Sequence, residues 1–301
     1  MADHSLIARA DQLRAARVPY VHARVVLAEP PTSAKPGAEA LILPDGTIEG
    51  FVGGNCAEST VRAQGLALLD SGESLLLRIT PEPEDDQTGK LVVHNPCLSG
   101  GTLEIFLDPA PAAPVIVIVG ESPIAHALAR AAEQLGWHHG APDDVESVTA
   151  DTLTGAAALV VASHGRGEEA ALRAALDADV PYIGLVASTK RGAAVIESLG
   201  MCSSHTSRIH SPAGLDIGAR TPEEVALSIM SEIVSLRPKP SGRSLPDATE
   251  PSGTATDPVC GMTVATVEAS LHLDHSGGRR WFCGSGCLRA FASDPEAYTS
   301  A

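Results

Sequence analysis

The spacing of hydrophobic positions changes several times along the first 110 residues, and each change predicts a different element. Helical spacing covers residues 5–17 and 56–71, and apolar runs typical of strands cover 20–28, 41–43, 47–51, 74–79 and 102–107. Pro44-Asp45-Gly46 separates two of these runs, which indicates a hairpin. The face predicted to be buried on the first helix consists of Leu6, Ile7, Ala10, Leu13 and Ala16. Residues 1–110 therefore predict a small α+β domain.

From residue 115 the pattern becomes a repeat of strand, turn and helix. Apolar runs at 115–119, 158–162 and 182–186 alternate with helical spacing at 124–135, 168–177 and 191–199. This alternation is typical of a parallel, doubly wound sheet. Thr221-Pro222-Glu223-Glu224 predicts the start of a last helix, with an N-cap, a proline in the first turn and a capping-box glutamate. Its predicted buried stripe is Val225, Ile229, Ile233 and Leu236. We therefore expect an α/β chain with a Rossmann-like domain over 114–237.

The composition changes again after this domain. Residues 238–256 are mostly Pro, Ser, Gly and Thr, which predicts a flexible linker. Residues 257–301 contain three of the six cysteines, Cys260, Cys283 and Cys287. We expect this segment to be a separate small module.

Charge and cysteine content narrow the class of protein. The net charge of −16 argues against nucleic acid or an anionic membrane as the main partner, because phosphate binding needs clustered Lys and Arg. The first twenty residues carry charges throughout and no apolar core run, so we expect neither a secretory leader nor a membrane span. A cytoplasmic location is expected. Reduced cysteines in that compartment favour metal binding or catalysis over disulfides.

The spacing C-x22-C-x3-C in the last segment brings three thiolates together if a hairpin carries the first and a helix start carries the others. Three thiolates suit a soft metal ion, Zn(II) or Cu(I), and the spacing does not choose between them. The fourth ligand is open among His272, His275, Asp274 and the thioether of Met262. A segment this short buries little apolar surface, so a metal would contribute to its folding. The alternative is a metal-free mini-domain with incidental thiols.

The segment from Asp257 to Tyr298 resembles a YHS domain, a small treble-clef-like metal-binding module. The resemblance rests on Asp-Pro-Val-Cys-Gly-Met at 257–262, Trp-Phe-Cys-x3-Cys at 281–287, and the closing Phe291 and Pro295-x-x-Tyr298. It implies that Cys260, Cys283 and Cys287 are metal ligands.

A second cysteine site is predicted in the first domain. Gly53 and Gly54 form a turn that delivers Cys56 to the start of a helix, where the helix dipole favours thiolate and the turn can hold an anion. Cys97 lies in another glycine-bearing loop, Cys97-Leu98-Ser99-Gly100-Gly101. A small buried cysteine after a tight turn is the alternative for Cys56.

Residues 5–237 resemble the XdhC/CoxI family, which helps to mature molybdenum hydroxylases such as xanthine dehydrogenase and carbon monoxide dehydrogenase. The marks are Val-Gly-Gly-Asn-Cys-Ala-Glu at 52–58, the loop 97–101 leading into Glu-Ile-Phe-Leu at 104–107, and the block 211–237. The resemblance implies a cofactor site whose residues are Gly53, Gly54, Cys56, Glu58, Cys97, Gly100 and Gly101. Cys56 and Cys97 are the candidates to touch molybdenum or its terminal sulfur.

These resemblances imply a maturation factor that binds molybdenum cofactor and assists its sulfuration or insertion; they favour an accessory protein over an enzyme without deciding between the two. The expected partners are a molybdenum hydroxylase client and a sulfur-donating cysteine desulfurase, and a homodimer is left open. Because carbon monoxide dehydrogenases of this class carry molybdenum bridged through sulfur to copper, the YHS segment is expected to handle Cu(I), with Zn as the alternative metal.

Two other functions stay open. An NAD(P)-dependent oxidoreductase would use the turn at Gly120, but only the first glycine of the dinucleotide fingerprint is present there. A heavy-metal sensor or buffer would use the C-terminal cysteines and bind no pterin.

Overall fold

The computed structural model describes residues 4–85, 87–96, 101–142, 147–237 and 253–298. The chain divides into two units. The first unit combines the described residues of 1–112 with those of 239–301, and the second is formed by those of 113–238. The C-terminal cysteine segment therefore shares a unit with the N-terminal sheet.

The first unit is built on a six-stranded sheet with strand order β3-β2-β1-β6-β4-β5. Its strands are β1 Tyr20–Glu29, β2 Glu39–Ile42, β3 Ile48–Gly50, β4 Leu75–Thr80, β5 Leu91–His94 and β6 Thr102–Ala110. All neighbours are antiparallel except β4 and β5, which are parallel. The hairpin predicted around Asp45 joins β2 to β3.

Two helices cover this sheet. Helix α1 spans His4–Ala15 and α2 spans Asn55–Ser71, with Gly72 in the left-handed conformation ending the latter. Val61 and Leu68 of α2 are buried against alternate side chains of the central strands, including Leu77 and Ile105. Because this packing holds α2 against the sheet, it also positions Cys56, the second residue of the helix.

The C-terminal segment forms two hairpins and a helix. Strands β12 Thr254–Thr256 and β13 Thr263–Ala265 pair antiparallel, as do β14 Leu271–His275 and β15 Gly278–Phe282. Helix α8 Ser285–Ser293 follows directly, and a 3-10 turn covers Pro295–Tyr298. Phe282 and the fully buried Phe291 form its aromatic core, with ring centroids 5.3 Å apart. Residues 254–256, assigned to the linker from sequence, are thus a strand.

The second unit is a parallel five-stranded sheet of order β11-β10-β9-β7-β8. Its strands are β7 Val115–Val119, β8 His138–Gly140, β9 Ala158–Val161, β10 Tyr182–Leu185 and β11 Ile209–His210. Its helices are α3 Pro123–Gln134, α4 Glu168–Asp177, α5 Thr189–Ser198, α6 Ser203–Thr206 and α7 Pro222–Leu236. Helices α3 and α7 pack in one apolar core of this sheet, and α4 packs in another. The unit is therefore Rossmann-like, and the predicted α/β class is confirmed.

Several local expectations need correction. Ile229 and Ile233 of α7 are buried as predicted, together with Ala226 and Met230, but Leu236 is 54% exposed. Leu6, Ala10 and Leu13 of α1 pack in one apolar cluster, whereas Ile7 is exposed, and Ala16 is exposed and lies just beyond the helix. The sequence pattern did not predict strands β5 and β11 or helix α6. Among the described residues, no helix combines the length and apolar character that crossing a membrane requires.

Candidate functional site

The loop Asp257–Met262 positions the first C-terminal cysteine. Asp257 Oδ1 accepts the Val259 N–H at 2.9 Å, and the Gly261 N–H donates to the Asp257 carbonyl at 2.8 Å. Gly261 closes the turn at φ 76°, a conformation that favours glycine. The Asp-x-x-x-Gly pattern therefore fixes the direction of Cys260 between β12 and β13.

The other two cysteines come from the junction of β15 and α8. Cys283 follows β15 directly, and Cys287 lies in the first turn of α8. The Cys283 N–H donates to Asp257 Oδ2 at 2.8 Å, so one fully buried carboxylate ties this junction to the Cys260 loop.

The three sulfurs meet at one point. Cys283 Sγ lies 3.5 Å from Cys260 Sγ and 3.7 Å from Cys287 Sγ, and a ligand atom from each cysteine and from Asp257 lies within 4.8 Å of the others. Zn–S bonds of about 2.3 Å in tetrahedral geometry place sulfurs about 3.8 Å apart, close to these separations. The arrangement therefore fits a tetrahedral thiolate site. This cluster does not include Cys56, His272, His275 or Asp274, whereas Cys56 and Met262 pack against it.

The close contacts among these groups shift the pKa values of the three cysteine thiols. The hydrogen bond to Cys260 and then the one with Cys56 raise the pKa of Cys283, with burial adding to the effect. Burial, followed by the negative charge of Asp257, raises the pKa of Cys287 to about 12. The pKa of Cys260 is lowered, chiefly because the Cys283 thiol donates a hydrogen bond to it. A bound cation would favour all three thiolates, so metal binding here would release protons.

A cavity of about 700 Å³ lies beside this cluster in the same unit. The start of α2 lines it with Gly54, Asn55 and Cys56, and the start of α8 lines it with residues 284–286. Asn95 and Gly101, on either side of the predicted Cys97 loop, also line the cavity. Cys97 and Gly100 lie outside the described residues.

The remaining predicted residues lie back from the cavity. Gly53 is buried, and a Cβ there would lie 2.8 Å from Ala57 Cβ, so chain packing alone requires this glycine. Glu58 does not line the cavity, and its charge favours the protonated form of Arg62 one turn further along α2. The pKa of Arg62 is nevertheless lowered, mainly by burial.

Sequence reasoning did not assign Asp257, Asn95 or residues 284–286 to a site. Asp257 opens the motif that indicated the C-terminal module, so an Asx turn before Cys260 was a signal for it. Asn95 and Gly284 carry no such signal, because their place at the cavity depends on how distant segments pack.

In the second unit, the turn after β7 is shaped by its own packing. A Cβ on Gly120, at φ 117°, would lie 2.6 Å from the Ala162 carbonyl oxygen, so this glycine lets the turn approach the end of β9. Ser122 caps α3 by accepting the Ala125 N–H at 3.2 Å. The close approach explains Gly120 without a dinucleotide.

Two family models match parts of this chain. Residues 116–233 match the family model of the XdhC Rossmann domain, and residues 13–80 match that of the XdhC and CoxI family. The uncharacterized protein YqeB of Escherichia coli K12 is 25% identical over 297 residues, covering 91% of this chain and 54% of that protein. A probable xanthine dehydrogenase component of Bacillus subtilis is 32% identical over 81 residues, covering 27% of this chain and 23% of that protein.

The chain thus spans about half or less of the length of these two relatives. A solved structure of a xanthine dehydrogenase from Bacillus halodurans aligns with a TM-score of 0.39 and 16% identity, over 78% of this chain and 97% of that one. The C-terminal cysteine segment lies outside both family matches. Residues 116–233 of this chain are therefore similar to the XdhC Rossmann domain, and residues 13–80 are similar to the XdhC and CoxI family.

Proposed function

We propose that this protein is an accessory factor for a molybdenum hydroxylase of the xanthine dehydrogenase or carbon monoxide dehydrogenase type. It would bind molybdenum cofactor transiently and assist its sulfuration or insertion into the client. The two family matches and the relative named as a probable xanthine dehydrogenase component support the client class. The observation that carries the proposal is the cavity at Cys56.

The cavity fits a cofactor of this kind in size and in lining. Its volume of about 700 Å³ lies within the range of small-molecule sites, roughly 300–1,000 Å³. Gly54 has φ −75°, and a Cβ there would meet nothing within 4 Å, so neither conformation nor packing requires a glycine. Gly286 also has open space around its Cβ position. Bare backbone at these two positions leaves room for a ligand to approach closely.

The chemistry of the lining supports an anionic, sulfur-binding ligand. Gly54 precedes α2 without a capping side chain, and a helix start attracts a phosphate group such as that of a pterin cofactor. Cys56 provides a soft sulfur on the same wall, and we keep Cys97 and Gly100 as cofactor-binding residues on the sequence resemblance alone. When bound, the cofactor supplies the molybdenum centre at which the terminal sulfur is installed. The chain's part is to orient the cofactor and shield the sulfur from water.

The C-terminal segment adds a metal function to this proposal. We assign residues 257–301, together with β12 at 254–256, to a YHS-type module that follows a Rossmann-like domain over 114–237 and an N-terminal domain over 1–110. Cys260, Cys283 and Cys287 would hold Cu(I) or Zn(II), with copper serving a carbon monoxide dehydrogenase client. A cysteine desulfurase would supply the sulfur.

The decisive experiment measures what the full chain retains when it is purified without oxygen from a host that makes the cofactor. Gly54→Ala places a methyl group in the cavity and is expected to lower bound molybdenum and pterin at least about tenfold, because a one-carbon misfit in a pocket costs roughly 10–200-fold. Gly278→Ala, in β15 with open space at Cβ, is the matched control and should retain the wild-type amounts.

Other results would overturn the proposal. If the wild-type chain carries a dinucleotide, the oxidoreductase hypothesis replaces it. If metal is present and pterin is absent in every variant, the metal sensor or buffer replaces it.

A further inference from the structure

Cys56 lines the cavity and also packs against the C-terminal cluster of thiols. It packs in the apolar cluster of Met262, Val264 and Cys283, to which Cys260 and Cys287 also belong. Its thiol is a hydrogen-bond partner of the Cys283 thiol. Cys56 belongs to the N-terminal domain, more than 200 residues before the other three cysteines.

The contact between the two segments is built into the backbone. A Cβ placed on Gly284, which precedes α8, would lie 3.7 Å from Cys56 Sγ and 3.6 Å from Asn55 Cβ. The starts of α2 and α8 therefore touch, each with a cysteine in its first turn. Helix α2 also packs along β13, the strand that follows the Cys260 loop. The position of Cys56 thus depends on an extended contact surface rather than on one side chain.

The carboxylate that belongs to the cluster, that of Asp257, is already committed to the backbone. Asp257 is fully buried, and each of its carboxylate oxygens accepts a backbone N–H, from Val259 and from Cys283. These bonds hold the two cysteine-bearing loops together, so coordination by Asp257 would weaken the frame of the site. His272 is turned toward the Ser270 carbonyl at 2.9 Å and the Trp281 ring.

We propose that Cys56 is the fourth ligand of the C-terminal metal, completing a tetrathiolate site with Cys260, Cys283 and Cys287. Such a site suits Zn(II) or another soft divalent ion in tetrahedral geometry. Because one ligand comes from α2, metal binding joins the C-terminal module to the N-terminal domain. The same ligand lines the cavity, so the metal forms part of the cavity wall.

This inference rests on the metal-binding part of the proposed function and not on its cofactor part. The test uses the full chain, reduced and stripped with a chelator, then loaded with Co(II) as a probe and with Zn(II) for X-ray absorption. Thiolate-to-cobalt charge-transfer absorbance rises with the number of thiolate ligands. The wild type should bind one ion with four sulfur ligands.

Cys56→Ser is expected to lose about a quarter of that absorbance and to show three sulfurs and one oxygen or nitrogen at zinc. Its metal affinity should fall at least about tenfold, since even changes outside the ligand shell cost 10- to 100-fold. Cys202→Ser is the matched control, because Cys202 is exposed in the other unit. Circular dichroism, and Trp281 fluorescence with Trp137 replaced by Phe, check that the first unit of Cys56→Ser is folded.

A folded Cys56→Ser variant with unchanged absorbance and sulfur count would overturn the inference while leaving a C-terminal metal site in place. Three sulfurs and one oxygen in the wild type, unchanged in Cys56→Ser, would assign the fourth position to an oxygen ligand such as Asp257 instead. A wild-type chain that binds no metal would overturn both this inference and the metal part of the proposed function.

Discussion

Asp257 is the side chain on which the frame of the cysteine cluster depends most directly. It is fully buried and accepts the backbone N–H groups of Val259 at 2.9 Å and Cys283 at 2.8 Å. Asp257→Asn keeps the volume and one acceptor oxygen, but its amide NH2 then faces one of the two backbone donors. One hydrogen bond is lost, and a buried backbone N–H remains without an acceptor.

The size of the effect follows from these contacts. A hydrogen bond to a charged group contributes about 1.5–3 kcal/mol, and leaving a buried donor unsatisfied costs a similar amount. Removing the charge also relieves its repulsion of neighbouring thiolates, since Asp257 raises the pKa of Cys287. We therefore expect Asp257→Asn to lower the free energy of unfolding of the first unit by about 2 kcal/mol.

Urea unfolding at a fixed excess of Zn(II) measures this change. The chain has two tryptophans, so Trp281 reports on the C-terminal segment once Trp137 is replaced by Phe. Asp274→Asn is the matched control, because Asp274 is exposed and pairs with Arg279 at 3.3 Å, a surface contact of about 0–1 kcal/mol. If Asp257→Asn costs no more than Asp274→Asn, Asp257 does not hold the two loops together.

Two further predictions concern the sheet domains. Thr221→Ala should destabilise the second unit by about 1 kcal/mol, because Thr221 caps α7 by accepting the Glu224 N–H at 3.2 Å. Trp137 fluorescence during urea unfolding measures this loss. A loss equally large in Thr221→Ser would contradict the capping argument. Hydrogen bonds from Lys90 and Arg78 hold the pKa of Glu104 below its usual value. The ionised Glu104 carboxylate therefore stabilises the fold above about pH 4.3, and this contribution is lost as the pH falls through the lowered pKa. Glu104→Gln should therefore lower the unfolding midpoint of the first unit at pH 7, with a smaller deficit at pH 3, and a deficit independent of pH would refute this.

Elements whose signals lie within a few residues of each other could be predicted from sequence. The capping box at Thr221 and Glu224 is present as expected, because N-cap and N3 groups bond only to their own helix turn. Gly72 ends α2 in the left-handed conformation for the same local reason. The repeat of strand and helix after residue 115 likewise predicted a parallel sheet, since parallel strands need crossover connections.

Short or edge elements could not be predicted in this way. Strand β5 has four residues and exists because it pairs in parallel with β4 at the sheet edge. The two-residue strand β11 depends in the same way on β10. Leu236 fits the helical spacing of α7, yet the helix extends past the core there and leaves it exposed. Periodicity specifies which residues share a face and does not specify where the partner surface ends.

For the candidate site, local patterns in the sequence indicated three cysteines that would meet if a hairpin carried Cys260 and a helix start carried Cys283 and Cys287. Turn and helix geometry depend on neighbouring residues, so this much could be inferred. The contact of Cys56 with these thiols and the cavity beside them appear only in the folded chain. This contact comes from the packing of α2 on β13 and the approach of Gly284, between segments more than 200 residues apart. No local pattern in either segment encodes that approach, since it depends on the surfaces that both present to each other.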